Sequence, residues 1–424
     1  MKINRPVAIV LGGTVPHKEL IEQLKKRGYF TILVDYLQNP PAKAVADIHI
    51  QESTLDKEKV LEIAKEYHAS LTICGCVDQA NITACYVMEK MGLVPPYSYE
   101  TALCITNKGY MKKMMLENDI PTSKYIYIER GTDLDFEHFN LRYPVIVKPA
   151  DSNSANGVRK ASNPDEVKKF LQEAVSISRN GRAIVEEFLT GQEISAYCYI
   201  QNGKAKLLMT AERISIMDGA DEIIKCYASI APARISDKAT ERAEQIAAQI
   251  GMAFKLDNTP LFFQGIVNGD KIDVIEFAPR IGGGVCFRTI KENTNFDIIS
   301  AIIDSWEGRY VNFSTWKKPN RLLVVNTIYG ENSTFDHIEG VQKVLDSGDA
   351  IAFYQIRSKG DRIDNNRASS SRIAFLVISA TDEKDLLKKV HHIYEKVKVV
   401  DDIGVNRIRK DINLEALWEN IKKN

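Results

Sequence analysis

Residues 274–284 read VIEFAPRIGGG, an apolar run that carries Glu276 and Arg280 and then gives way to Gly282, Gly283 and Gly284. Burying charge without a partner is costly, so such a strand needs a chemical reason for its carboxylate and guanidinium. In extended chain Glu276, Ala278 and Arg280 share one face, with roughly 13 Å between the first and last α-carbons. Pro279 has no amide hydrogen, so regular pairing is expected to fade there and Arg280 to leave the sheet. A carboxylate that can hold a divalent cation, followed by a fork of donors, suits a polyphosphate whose terminal group is being transferred. The glycines would let backbone approach that group closely.

Two lysines belong with this pair. Lys108 opens an amphipathic helical pattern, and Lys148 ends the strand PVIVK before Pro149, where an ammonium is costly unless it meets an anion. Either one alone reads as a snorkelling side chain. The loop 151–158, DSNSANGV, follows Lys148, and its Ser152, Ser154 and Gly157 suit amides and hydroxyls turned toward phosphate oxygens. In VEEFLTGQE, Glu186 and Glu193 stand on either side of Gly191, so a strand, a turn and a second strand could aim both carboxylates into one cleft.

Gln264, in LFFQGIV, sits on the strand before Glu276. A two-residue turn at Asn268-Gly269 would set Gln264 opposite Asp273 and face it away from Glu276. If Asn268, Gly269 and Asp270 all loop out, Gln264 falls opposite Val274, diagonal to Glu276 on the same face. A metal site shared by Gln264 and Glu276 demands the second arrangement.

The elements that must carry these residues follow from periodicity. Apolar runs at 7–11, 30–35 and 71–74 alternate with helical patterns near 16–27, 56–68 and 79–91, the rhythm of an open βαβ sheet over residues 1–100. The turn LGGTVPHKEL lacks G-x-G-x-x-G, so no dinucleotide fingerprint is present. Pro95-Pro96 marks a connector, and helix 107–118, strand 144–149, helix 165–178 and strand 183–188 follow. Then comes a strand-rich stretch with a helix from Ser236 to Ile250, and residues 320–424 read as a further α+β unit with a helix near 383–398. The fold class is therefore α/β followed by α+β.

Composition narrows the partners. The chain has 424 residues, 44% of them apolar, with Lys+Arg and Asp+Glu both at 56 and no stretch of one sign, so nucleic acid is not an expected partner. Seven cysteines without CxxC or zinc spacing suit reduced thiols. The apolar run at the N-terminus is too short for a signal peptide and no window of 18 apolar residues occurs, so a cytoplasmic protein without membrane partners is expected. His17 reads as a helix-cap residue, and the adjacent His391 and His392 face different directions on a helix and make a poor metal pair.

In order and spacing, NKGYMKKMMLENDIP, YPVIVKPADSNSANGV, VEEFLTGQEIS and VIEFAPRIGGG resemble the ATP-grasp superfamily, over nearly the whole chain. The resemblance implies a pre-ATP-grasp open βαβ domain at 1–100 and a two-lobe nucleotide-binding core at 101–319, with a central lobe at 121–190 and a second lobe at 191–319. It also implies a small closing α+β domain at 320–424. It places ATP between the lobes, with Lys108 and Lys148 on its phosphates and the 151–157 loop as a lid. Glu186, Glu187, Phe188 and Leu189 would form the adenine-facing hinge, largely through backbone, and Glu193 would meet the ribose. Glu276 with Gln264 would hold Mg2+ or Mn2+, Arg280 would stabilise the phosphoryl group and the acyl intermediate, and Lys225 would add a phosphate contact.

Most members carry Asn two residues after the metal glutamate, where this chain has Ala278, which cannot ligate. An alanine there resembles the bacterial L-amino acid ligases, which join amino acids into dipeptides, so amino acids are the substrates the resemblance implies. The implied activity is amide-bond formation through an acyl phosphate. A purine-biosynthesis-type or carboxylating ligase and a non-catalytic ATP-binding relative are the alternatives, and a homodimer is the default assembly. Gly282, Gly283 and Gly284 would line the substrate site, and Arg362, Arg367 and Arg372 are the arginines that could meet a substrate carboxylate, Arg372 foremost.

Overall fold

The computed structural model describes residues 4–132, 139–151, 157–218, 223–366 and 369–411. The first unit comprises β1 (Val7–Leu11), α1 (Val15–Lys26), β2 (Phe30–Val34), β3 (Ile48–Ile50), α2 (Lys57–Glu66), β4 (Leu71–Ile73) and α3 (Asp78–Lys90). Its strands pair in parallel in the order β3-β2-β1-β4. β1 and β2 are buried along their whole length, as continuous apolar runs covered on both faces must be. The helices α4 (Tyr99–Thr106) and α5 (Lys108–Glu117) then lead away, and the Asn107 side chain caps α5 by accepting from the Tyr110 amide at 3.1 Å.

A small second sheet contains β5 (Tyr125–Glu129), β6 (Val145–Pro149), β7 (Arg159–Ala161) and, after α6 (Pro164–Ile177), β8 (Arg182–Glu187), in the order β5-β8-β6-β7. The largest sheet draws first on β9 (Gln192–Gln201), β10 (Lys204–Asp218), β11 (Ile223–Ala231) and, after α7 (Asp237–Ala253), on β12 (Thr259–Asn268) and β13 (Lys271–Ala278). Next in the chain are α8 (Cys286–Thr294), α9 (Ile298–Trp306), β14 (Leu322–Tyr329), β15 (Ser333–Glu339), α10 (Val341–Asp346), β16 (Ala352–Gln355), β17 (Arg362–Ile363), β18 (Arg372–Ala380), α11 (Glu383–Lys396) and β19 (Lys398–Asp401).

The strands after residue 320 do not make a sheet apart. β14, β18 and β16 extend the large sheet to eight strands, β13-β12-β9-β10-β11-β14-β18-β16, while β15, β17 and β19 form a small sheet beside it. The strands on either side of the expected boundary at 319/320, which itself lies in the connection from α9 to β14, thus share one hydrogen-bonded sheet. β11 leaves an edge that β14 pairs from Ala228↔Asn326 to Ala231↔Leu323, and covering an open edge is the physical reason for the continuity. One apolar core runs from the parallel sheet through α1 and α9 to the large sheet, and Arg27 at the end of α1 reaches Asp304 and Glu307 at 2.8 and 2.6 Å.

The β12–β13 hairpin follows neither of the two arrangements expected from sequence. Asn268 pairs with Lys271, so the two-residue turn is Gly269-Asp270, with Gly269 at φ +62°. That register continues to Gly265↔Val274, and a bulge between Gln264 and Gly265 then shifts it by one, setting Gln264 directly opposite Glu276. The bulge does what the three-residue loop was expected to do, and brings the two side chains closer than a diagonal pair.

Gly191, between β8 and β9, is a second local requirement. Its φ is +144°, and a β-carbon there would lie 2.3 Å from the Val267 carbonyl oxygen on β12. Gly191→Ala is expected to cost about 1–3 kcal/mol, read as a lower urea midpoint with an unchanged slope. An unshifted midpoint would show that the chain relaxes there freely.

Candidate active site

A cavity of about 560 Å³ lies where the three layers meet. Cys76, Val77 and Asp78 of the first unit line one side, Lys148 and Glu186–Leu189 of the small sheet another, and the face of the large sheet the third. Glu193, Gln264, Glu276, Arg280 and Lys108 also border it. The sequence distributes them over 173 positions, from 108 to 280, and the fold collects them around one space.

Lys148, next to last in β6, is buried, as is its partner Glu186. It forms an ion pair with Glu186 Oε1, and Glu186 Oε2 receives Lys112 Nζ at 2.7 Å and the Ser123 hydroxyl at 2.9 Å. Lys112, one turn along α5 from Lys108, has a fully buried side chain and also donates to the Thr122 and Ser123 hydroxyls at 2.8 and 2.9 Å. Burial alone would raise the Glu186 carboxyl, but the two ammoniums outweigh it and hold it down at about 2. Burial likewise pushes Lys112 below the usual lysine range against the pull of Glu186. The Glu186 side chain is thus committed to the lysines, which leaves its backbone for any part in a hinge along the cavity.

The backbone of that hinge is also largely occupied. Glu186 pairs with β5 and β6, the Glu187 amide donates to the Lys124 carbonyl at 3.0 Å and the Phe188 amide to the Pro144 carbonyl at 3.1 Å. The Glu187 carboxylate is held by Arg142 at 2.9 Å, which lowers its pKa. Leu189 is the member of the four whose amide has no partner among the described residues.

On the large sheet a chain of polar contacts crosses three strands. Glu193 Oε1 accepts from Arg213 Nε at 2.7 Å; the Gln264 amide oxygen faces the same Nε at 2.9 Å, and its nitrogen faces Glu276 Oε1 at 3.0 Å. The amide orientation is the one that satisfies both neighbours. Glu276 Oε2 lies 3.4 Å from Lys108 Nζ, and its side chain is 38% exposed, toward the cavity. Arg280 has left the sheet, as Pro279 requires, and its Nε and Nη2 bind Asp78 at 2.5 and 2.7 Å. Arg213, Lys112 and Asp78 were not found by sequence reasoning; Lys112 alone carried a signal, its helical spacing from Lys108.

Other expected residues divide. Gly283 has open space where a β-carbon would be, and it and Gly284, at φ +74°, line the cavity. Gly282 does not line it: a β-carbon there would press on Tyr197 and Phe262 at 3.0 and 3.2 Å, so its role is packing. Lys225 is also corrected. On β11 Ile224 and Cys226, and further along Ala228 and Ser229, line the cavity, and Lys225 between the first two points to the opposite face, where it pairs with Asp218 and lies 3.3 Å from Asn365. Arg372, which opens β18, borders the cavity with its Nε buried and unpaired among the described residues. Arg362 is exposed on β17. Ser152, Ser154 and Arg367 lie outside the described residues; Gly157, at the edge of that loop, has φ +73°.

His17 caps α1, accepting from the Thr14 amide at 3.2 Å, and all seven cysteines are free thiols. His391 pairs with Glu395 at 3.2 Å and His392 lies 3.4 Å from Asp349, away from the cavity. No helix of the described residues is long and apolar enough to cross a membrane.

Among the described residues no three His, Cys, Asp or Glu side chains cluster as a metal site. The Glu276 carboxylate nevertheless fits a hard cation of the magnesium type, which takes one or two protein oxygens and completes its shell with substrate phosphates and water; Gln264 would join it only with its amide turned so that the oxygen, which here faces Arg213, points to Glu276. Ala278, buried beside them, adds no ligand.

The model of the ATP-grasp domain matches residues 141–289 of the chain. A formate-dependent phosphoribosylglycinamide formyltransferase of Ignicoccus hospitalis is 25% identical, over 57% of this chain and 61% of that one. The chain thus spans about three fifths of that relative's length. An L-arginine-specific L-amino acid ligase of Bacillus subtilis is 25% identical over 82% of this chain and 83% of that one. Among solved structures, the L-amino acid ligase from Bacillus licheniformis superposes with a TM-score of 0.76 at 18% identity, covering 95% of this chain and 100% of the other. Phosphoribosylglycinamide synthetase from Anaerococcus prevotii gives 0.73 at 18% identity, covering 94% and 100%.

Proposed function

We propose, for a chain that carries an ATP-grasp domain, that the cavity is the site of an ATP-dependent carboxylate–amine ligase acting on amino acids. The observation that supports this reading most directly is the convergence of Lys108, Lys148, Gln264, Glu276 and Arg280 on one cavity. Two ammoniums and a guanidinium there answer the charge of a triphosphate, and the acidic Glu276 among them answers a cation. A cation held by Glu276, and by Gln264 once its amide oxygen turns from Arg213, would neutralise charge on the phosphates. Leu189 offers the base its amide, which has no partner among the described residues, and Glu193, held by Arg213, faces the ribose.

A substrate carboxylate oxygen attacks the γ-phosphorus of ATP, the bond to ADP breaks, and an acyl phosphate forms. An amine then attacks the acyl carbon, the carbon–oxygen bond to phosphate breaks, phosphate leaves and the amine gives up a proton. The protein's share is positioning and charge neutralisation. Lys108 and Lys148 hold the phosphates, Arg280 meets charge on the phosphoryl group and then on the acyl oxygen, and Arg372, which borders the cavity, offers its guanidinium to a substrate carboxylate.

The expected result is phosphate release from ATP only when a carboxylate and an amine are both supplied. A matrix of amino-acid pairs, with product masses read afterwards, checks it. Release with formate or bicarbonate instead would favour a formate-dependent or a carboxylating ligase, and the absence of release with every pair would support a non-catalytic nucleotide binder.

A further inference from the structure

The turn that carries Arg280 is gripped from several directions. The Arg280 amide donates to the Ala278 carbonyl at 2.9 Å, and the Tyr97 hydroxyl donates to the Pro279 carbonyl at 3.4 Å. The guanidinium lies over the Phe262 ring at 5.7 Å, and its Nη1 donates to the Ile281 carbonyl at 2.7 Å. Its other edge is taken by Asp78 in a two-point fork, from a residue 202 positions away at the start of α3. A guanidinium has five N–H groups. Three are committed here, leaving one on Nη1 and one on Nη2.

The pair is well shielded, with side-chain exposures of 13% for Arg280 and 18% for Asp78. Screening by salt is weak in such a place, and a planar fork on a carboxylate fixes orientation as well as charge. Asp78 and Arg280 both line the main cavity and the smaller one beside it that Lys108 and Glu276 share.

We infer that Asp78 is the positioning residue for Arg280: its carboxylate turns the guanidinium so that the two uncommitted N–H groups meet the transferring phosphoryl group. The inference rests on the ligase reading above. It makes the first unit a working part of the site, since a carboxylate at the start of α3 sets the aim of a group 202 positions later. Asp78 does not itself touch the reacting atoms in this scheme. It acts through Arg280, and a misplacement of about 1 Å there costs on the order of 10²-fold in turnover.

The test is a kinetic cycle on the full chain with Asp78→Asn, Arg280→Ala and the double variant, using the substrate pair found by the screen. Asp78→Asn is expected to lower kcat about 10²-fold while the affinity for a fluorescent ATP analogue and the KM of the acceptor pair stay within about twofold. Asp78→Glu, which restores the charge and the fork, is expected to recover part of the loss. Adding Asp78→Asn to Arg280→Ala is expected to cost nothing further, because the residue it positions is gone.

Additive losses would overturn the inference, as would a change confined to the KM of one substrate, which would put Asp78 on that substrate. Full turnover in Asp78→Asn with turnover lost in Arg280→Ala overturns the role of Asp78 and leaves the ligase site standing. Full turnover in Arg280→Ala removes the ligase site itself. If Asp78→Asn fails to bind the nucleotide analogue, Asp78→Glu carries the same comparison: a loss confined to kcat supports the inference, and a loss confined to KM overturns it.

Discussion

Arg280→Ala and Glu276→Gln are each expected to lower turnover by at least on the order of 10²–10³-fold, the usual cost of removing one preorganised charge-stabilising group. The charge on Arg280 is fixed in place before reaction, so no reorganisation is needed when charge develops on the phosphoryl group. Arg280→Lys is an informative companion: it retains the charge, loses the fork, and should recover little. Steady-state phosphate release measures all three. Near-normal turnover in Arg280→Ala or in Glu276→Gln would sink the site assignment. Removal of Arg280 also strips Asp78 of its partner, so thermal unfolding should be followed alongside to separate lost chemistry from lost fold.

The second large effect concerns stability. Glu186→Gln leaves two buried ammoniums, Lys112 and Lys148, without their shared counter-charge, and is expected to destabilise the fold by about 3–5 kcal/mol. Urea unfolding measures this, and a loss below about 1 kcal/mol would show that water or rotamer change rescues the lysines. The same group predicts an acid limb. Glu186 is held at about 2, below its ordinary 4.5, so the stability it contributes is fully present above pH 4.5 and is lost as pH falls from there toward 2. In Glu186→Gln the fall of unfolding free energy across that window should be shallower; an identical slope would place the low-pKa group elsewhere.

Much of the candidate site was legible in the sequence because the residues proposed for it sit at ends of elements whose periodicity is strong. Lys148 ends a short apolar run, Lys108 begins a helix behind an Asn cap, and Pro279 announces where the strand must stop. What could not be read was pairing. The bulge at Gln264/Gly265 is a one-residue event within a hairpin whose turn could close at more than one place, and it decides whether Gln264 meets Glu276. Lys225 was misassigned for a related reason: strand parity is readable, but which parity faces the cavity depends on which side of the sheet is covered.

The continuity of the large sheet belongs to the same class. Nothing in the composition around residue 320 tells whether β14 begins a new sheet or joins β11, because edge pairing uses backbone groups common to every residue. The partners of the charged residues were hidden for a different reason. Asp78, Lys112 and Arg213 look like ordinary surface charges in sequence, and only folding shows that they stand beside Arg280, Glu186 and Glu193.

The sequence by itself therefore determined the order of elements, the fold class and the residue types able to bind a phosphorylated ligand, because periodicity, prolines and charge in apolar runs are local properties. The tertiary structure decided which of those charges are free to work and which are spent on one another. Ion pairs and strand registers join residues far apart in the chain, and their energies depend on distance and burial, which no local pattern encodes.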